Sequence, residues 1–153
     1  MKGLTSCKTI ERVRLQDNNL SGILSLEITQ LPWIYLLDIS GNKLFGRIND
    51  RKWNMSSLQM LNLANNNFLG DLPNSFGSNK VEGLDLSHNQ FSGYIQIGEL
   101  VQLKLNINNL FGKFPEELFH CNKLVSLDLS YNQLFGEISD SRETRRNVGS
   151  WST

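Results

Sequence analysis

Two arginines two residues apart, Arg12 and Arg14, form the most chemically pointed pair in this chain of 153 residues. On an extended strand, alternate side chains leave the same face, so both guanidinium groups project side by side. Two such planar forks can hold a carboxylate through charge-assisted, bidentate hydrogen bonds. The plainer reading pairs them with Glu11 or Asp17. Asp85, Ser87 and His88 supply an acid, a nucleophile and a base close together. Asp85 and Ser87 are expected to face one way, without the geometry that orients a base onto a hydroxyl. His120 adjoins Cys121, but two adjacent donors are half a metal site at most. No catalytic residue, metal or cofactor is expected.

The elements that position these residues are read from a pattern that recurs six times, L-x-x-L-x-L-x-x-N-x-L-x-G. Its strand residues alternate, with the apolar side turned inward. This predicts parallel strands near 12–15, 36–39, 60–63, 83–86, 102–105 and 126–129. The asparagines Asn18, Asn42, Asn66, Asn89, Asn108 and Asn132 follow each strand. A carboxamide both donates and accepts, so stacked asparagines can satisfy the backbone of their own and neighbouring coils. They are expected to form an interior ladder, in which loss of Asn66 costs about 1–3 kcal/mol. The glycine that ends the pattern allows a sharp bend. No coil can bury its apolar face alone, so stability must come from neighbours.

The ladder asparagines lie 24, 24, 23, 19 and 24 residues apart. The short interval, Asn89 to Asn108, lacks about five residues around Tyr94 to Glu99. A distorted convex segment is expected there, with its strand intact. Cys7 and Cys121 occupy equivalent positions five coils apart. At about 4.8 Å per step they stand roughly 24 Å apart, beyond the ~7 Å that a disulfide spans. Both read as buried, reduced thiols.

Ligands of such a solenoid are expected on the concave sheet. The central outward position of each strand gives Arg14, Asp38, Asn62, Asp85, Lys104 and Asp128. The position before it gives Arg12, Leu36, Met60, Gly83, Gln102 and Ser126, and the one after the strand Asp17, Gly41, Asn65, His88, Ile107 and Tyr131. The aspartates read first as solvated consensus residues.

Gly70-Asp71-Leu72-Pro73 and Gly112-Lys113-Phe114-Pro115 follow the L-x-G-x-I-P signature. The chain thus resembles plant extracellular leucine-rich repeats over about residues 7 to 138, though proline is missing after Ile23, Ile48, Ile95 and Ile138. The resemblance implies an α/β-type repeat solenoid: a curved leucine-rich-repeat array of six coils, with a parallel concave sheet and a mostly irregular convex side. The coils run about 7–30, 31–54, 55–77, 78–96, 97–120 and 121–138, and residues 139–153 are expected to be a disordered tail. The stretch from Cys7 to Leu15 resembles one coil of plant peptide-hormone receptor kinases, where an R-x-R pair grips a peptide's C-terminal carboxylate. That likeness implies carboxylate binding by Arg12 and Arg14.

Fifteen basic and fifteen acidic residues cancel, so no global field calls for nucleic acid or an anionic membrane. No apolar run approaches the roughly 18 residues of a membrane span, and no secretory signal is read at the N-terminus. As written, the chain is expected in the cytosol, whereas the resembled family sits at the plasma membrane facing the apoplast. No kinase signature occurs: no glycine-rich nucleotide loop, H-R-D or D-F-G. Neither end carries a cap pattern, so the chain reads as an internal piece of a longer array that self-associates through its terminal coils. The expected function is a non-catalytic peptide- or protein-recognition module derived from a receptor ectodomain. Alternatives are a small soluble scaffold or inhibitor, and a fragment of a receptor kinase.

Overall fold

A leucine of one coil leaves water only when the next coil lies against it, and the six coils meet this demand at five junctions. The computed structural model describes residues 6, 7, 9–49, 52–94, 100–115, 118 and 122–137. The tail 139–153, the segment 95–99, and His120 with Cys121 lie outside the described residues.

The first sheet is parallel, in the order β1 (Arg12–Arg14), β3 (Leu36–Asp38), β5 (Met60–Asn62), β7 (Gly83–Asp85), β9 (Gln102–Lys104) and β11 (Ser126–Asp128). These are the expected strands, each a residue shorter at its end. The register holds through the short coil, where Asp85 faces Lys104. The core follows from the pattern: Leu37, Ile39, Leu63 and Leu86 are fully buried.

A second parallel sheet forms from the segments after the asparagines, where sequence suggested mostly irregular chain. It joins β2 (Ser21–Ile23), β4 (Lys43–Arg47), β6 (Asn67–Asp71), β8 (Gln90–Gly93), β10 (Asn109–Lys113) and β12 (Gln133–Phe135). Its cause is inter-coil: once the asparagine has turned the chain, each following segment lies against its predecessor and bonds to it, as Lys43 N–H does to Leu20 C=O at 2.8 Å. Such partners belong to the coil before, so no pattern within one repeat reveals them.

The ladder links coils as expected. Asn66 Nδ2 donates to the carbonyls of Ile39, Leu63 and Ala64, each at 3.1 Å, and Oδ1 accepts from Leu44 N–H at 3.0 Å. Asn42, Asn89, Asn108 and Asn132 repeat the arrangement. Asn18, exposed in the first coil, bonds only to Leu15 and Gln16 of its own turn. Cys7 corrects the expectation of two buried thiols: it is exposed. The corresponding positions of the next two coils, Leu31 and Met55, are buried.

The residue before every ladder asparagine is left-handed, with φ between 52° and 60° at Asp17, Gly41, Asn65, His88, Ile107 and Tyr131. Glycine, asparagine and aspartate visit this region readily, whereas a β-branched side chain is strained there. Ile107 is therefore the strained member of the row. It is 38% exposed, so replacing it loses little burial. Ile107→Asn is expected to raise stability by about 1 kcal/mol, read as a higher urea midpoint at constant slope. A lowered midpoint would show that Ile107 packs better than its backbone angle costs.

Candidate functional site

The register of the first sheet sets Arg14, Asp38, Asn62, Asp85, Lys104 and Asp128 in one row across six strands. Five of them, Arg14 to Lys104, line a shallow depression of about 290 Å³ together with Gln16, Leu36, Met60, Gly83 and Gln102. Gly83 shapes its floor. The Met60 side chain lies over it, with Sδ and Cε each 2.5 Å from where a β-carbon on residue 83 would stand. Arg12 and Asp128 do not line this depression. Gln16 does, although its place after the strand gave no sequence signal.

The aspartates also serve the backbone. Asp38 Oδ1 accepts from Ser40 N–H at 3.1 Å and from its hydroxyl at 2.7 Å. Asp85 with Ser87, and Asp128 with Ser130, repeat both bonds. Asn62 Oδ1 holds Ala64 N–H at 3.0 Å in the same way. The Ser87 hydroxyl thus donates to Asp85, in a turn that recurs where no histidine follows. One carboxylate oxygen remains for the concave face. In Asp85 it is Oδ2, 3.6 Å from Lys104 Nζ, an exposed pair of small energetic weight. The Ser130 hydroxyl, then its amide, hold the Asp128 carboxyl below its usual value of 3.8.

The two arginines part company. Arg12 lays its guanidinium over the Tyr35 ring of the next coil, 5.2 Å from the centroid, a cation–π contact. Arg14 faces the depression. Neither forms an ion pair with Glu11 or Asp17 among the described residues. Tyr35 went unnoticed in the sequence because it lies outside the outward columns of its repeat. No cluster of metal-ligating side chains occurs among the described residues, and no helix there is long and apolar enough to cross a membrane.

The six-rung parallel sheet, the asparagine ladder and the leucine core define a leucine-rich-repeat solenoid. Leucine Rich Repeat family models match residues 57–79 and 120–137. Receptor-like protein 39 of Arabidopsis thaliana is 35% identical over 110 residues, covering 66% of this chain and 12% of that protein. The ectodomain of the Arabidopsis receptor kinase GASSHO1/SCHENGEN3, solved in complex with CASPARIAN STRIP INTEGRITY FACTOR 2, superposes with a TM-score of 0.84 at 32% identity. That match covers 91% of this chain and 18% of the other. The ectodomain of the Arabidopsis receptor kinase HAESA, in complex with an IDA peptide hormone ligand, gives 0.76 at 34% identity, covering 88% and 24%. The chain is a plant-type leucine-rich-repeat protein and resembles part of a receptor ectodomain. It spans about a tenth of the curated relatives it matches.

Proposed function

We propose that this chain is a non-catalytic recognition module that receives a peptide or protein segment on its concave sheet, with Arg12 and Arg14 holding a carboxylate. The observation that carries the reading is the depression in which Arg14 meets Asp38, Asn62, Asp85 and Lys104. It presents cations at both ends and hydrogen-bonding groups between, a surface suited to an extended polar chain. The HAESA ectodomain, complexed with a peptide hormone, supports the ligand class. Residues 1–138 are the binding solenoid in this reading, and 139–153 are a tail that takes no part. Association between chains through their terminal coils belongs to the same reading.

Each charge-assisted bond to a carboxylate contributes about 1.5–3 kcal/mol. Two to four of them must offset an association cost of roughly 4–15 kcal/mol. Binding by this segment alone is therefore expected to be millimolar, about −4 kcal/mol, and to weaken with salt because the site is exposed. The test titrates one peptide in free-acid and C-terminally amidated forms against the wild type and Arg12→Ala/Arg14→Ala. Amidation and the double substitution should each abolish the signal. Micromolar binding indifferent to both would place recognition on another surface.

A further inference from the structure

The concave sheet carries two parallel rows of outward residues, and they differ in kind. The row from Arg14 to Lys104 is polar throughout. The row beside it reads Arg12, Leu36, Met60, Gly83, Gln102 and Ser126 across the paired strands. Leu36 is half-buried and Met60 is 42% exposed. Two apolar side chains therefore stand together in a row whose other side chains are polar.

Gly83 explains how Met60 is held. It is not among the glycines with positive φ, so its backbone does not require glycine. What the missing side chain provides is room. A β-carbon there would stand 2.5 Å from both Sδ and Cε of Met60, so the thioether lies flat across the next coil. Every other position of the row carries a side chain, and no other coil offers such a bed. The result is a small apolar floor within the depression, built from an unbranched, polarisable side chain that adapts to what rests on it.

Its distance from the cations sets a length. Met60 lies two strands from Arg14, about 10 Å at ~4.8 Å per strand. An extended peptide covers that span in about three residues, at ~3.3 Å each. We infer that this floor receives an apolar side chain of the ligand, three residues before the C-terminal residue whose carboxylate Arg14 holds. Asp38 and Asp85 flank the central Asn62 of the neighbouring row, so an acidic side chain at the same place meets like charge. The ligand class is thus a peptide with a free C-terminus and an apolar residue at that spacing. This inference rests on the reading that Arg12 and Arg14 hold a carboxylate, and the test separates the two.

The probes are acetyl-Gly-Gly-Leu-Gly-Gly-Gly as free acid, its C-terminal amide, and the free acid with serine in place of leucine. Each is titrated against the full chain, following the Gly83 amide and methyl-labelled methionine by NMR. The leucine peptide should bind about tenfold more tightly than the serine peptide, since an apolar side chain leaves water. It should shift the Met60 methyl and leave that of Met55, which is fully buried. Met60→Gln keeps the length of the side chain and should remove the leucine advantage, whereas Met60→Leu should keep most of it. Gly83→Ala pushes the thioether off its bed and should reduce the advantage at least about threefold. Unchanged urea midpoints in the Met60 variants show that the fold is intact. Leucine and serine peptides bound alike, both lost on amidation and in Arg12→Ala/Arg14→Ala, would overturn the apolar floor and leave the carboxylate reading standing. A leucine advantage that needs Met60 but neither the arginines nor the free carboxylate would overturn that reading and the spacing drawn from it.

Discussion

Asn66→Ala is expected to lower stability by about 2–3 kcal/mol, and Asn66→Asp by more. In the alanine variant the three carbonyls keep other partners: Ile39 C=O still accepts from Asn42 Nδ2, Leu63 C=O from Asn89 Nδ2, and Ala64 C=O from Gly41 N–H. The group left alone is Leu44 N–H, whose bond to Asn66 Oδ1 is buried. An orphaned buried donor costs about 1–3 kcal/mol, and the lost donor bonds add to it. Aspartate keeps an acceptor for Leu44 N–H but turns a carboxylate oxygen toward the carbonyls that Nδ2 served. A buried anion facing acceptors is worse than a missing group. Asn18→Ala, at an exposed rung bonded only to its own turn, should stay within about 0.5 kcal/mol. Urea unfolding of the three variants checks the ranking. Equal losses at Asn18 and Asn66 would mean that the asparagine stabilises its own turn and not the stack.

The second large effect is expected at Phe68, where alanine should cost about 3–5 kcal/mol. Phe68 is fully buried and stacks on Phe91 of the next coil, with ring centroids 6.3 Å apart and planes 14° from parallel. The void cannot close cheaply, because both sheets fix the spacing of the coils and Phe68 N–H is tied to Asn89 Oδ1 at 3.0 Å. Leucine fills the same slot at positions 20, 44, 110 and 134, so Phe68→Leu should cost less than about 1.5 kcal/mol. An alanine variant losing less than about 1 kcal/mol would show that the coils do slide together.

Much of this molecule was legible from side-chain types alone, and the reason is local. Burial of alternate residues, a carboxamide at the turn and a glycine at the bend act within one repeat, so spacing marked the six strands and the ladder. It did so through the 19-residue interval as well, because the missing residues fall between β8 and β9 and touch neither register. The row from Arg14 to Lys104 was legible for the same reason, since strand alternation decides which residues face outward.

Other features were decided only when coils met. The second sheet needs a neighbouring backbone to bond, and Arg12 lies over a tyrosine contributed by the next coil. The left-handed row shows how the levels combine: aspartate, glycine and asparagine suit it, whereas Ile107 and Tyr131 adopt it because stacked strands and the ladder impose one turn on every coil. Cys7 is exposed although the corresponding Leu31 and Met55 are buried, because burial in a solenoid is conferred by contacts between coils and not by repeat position itself.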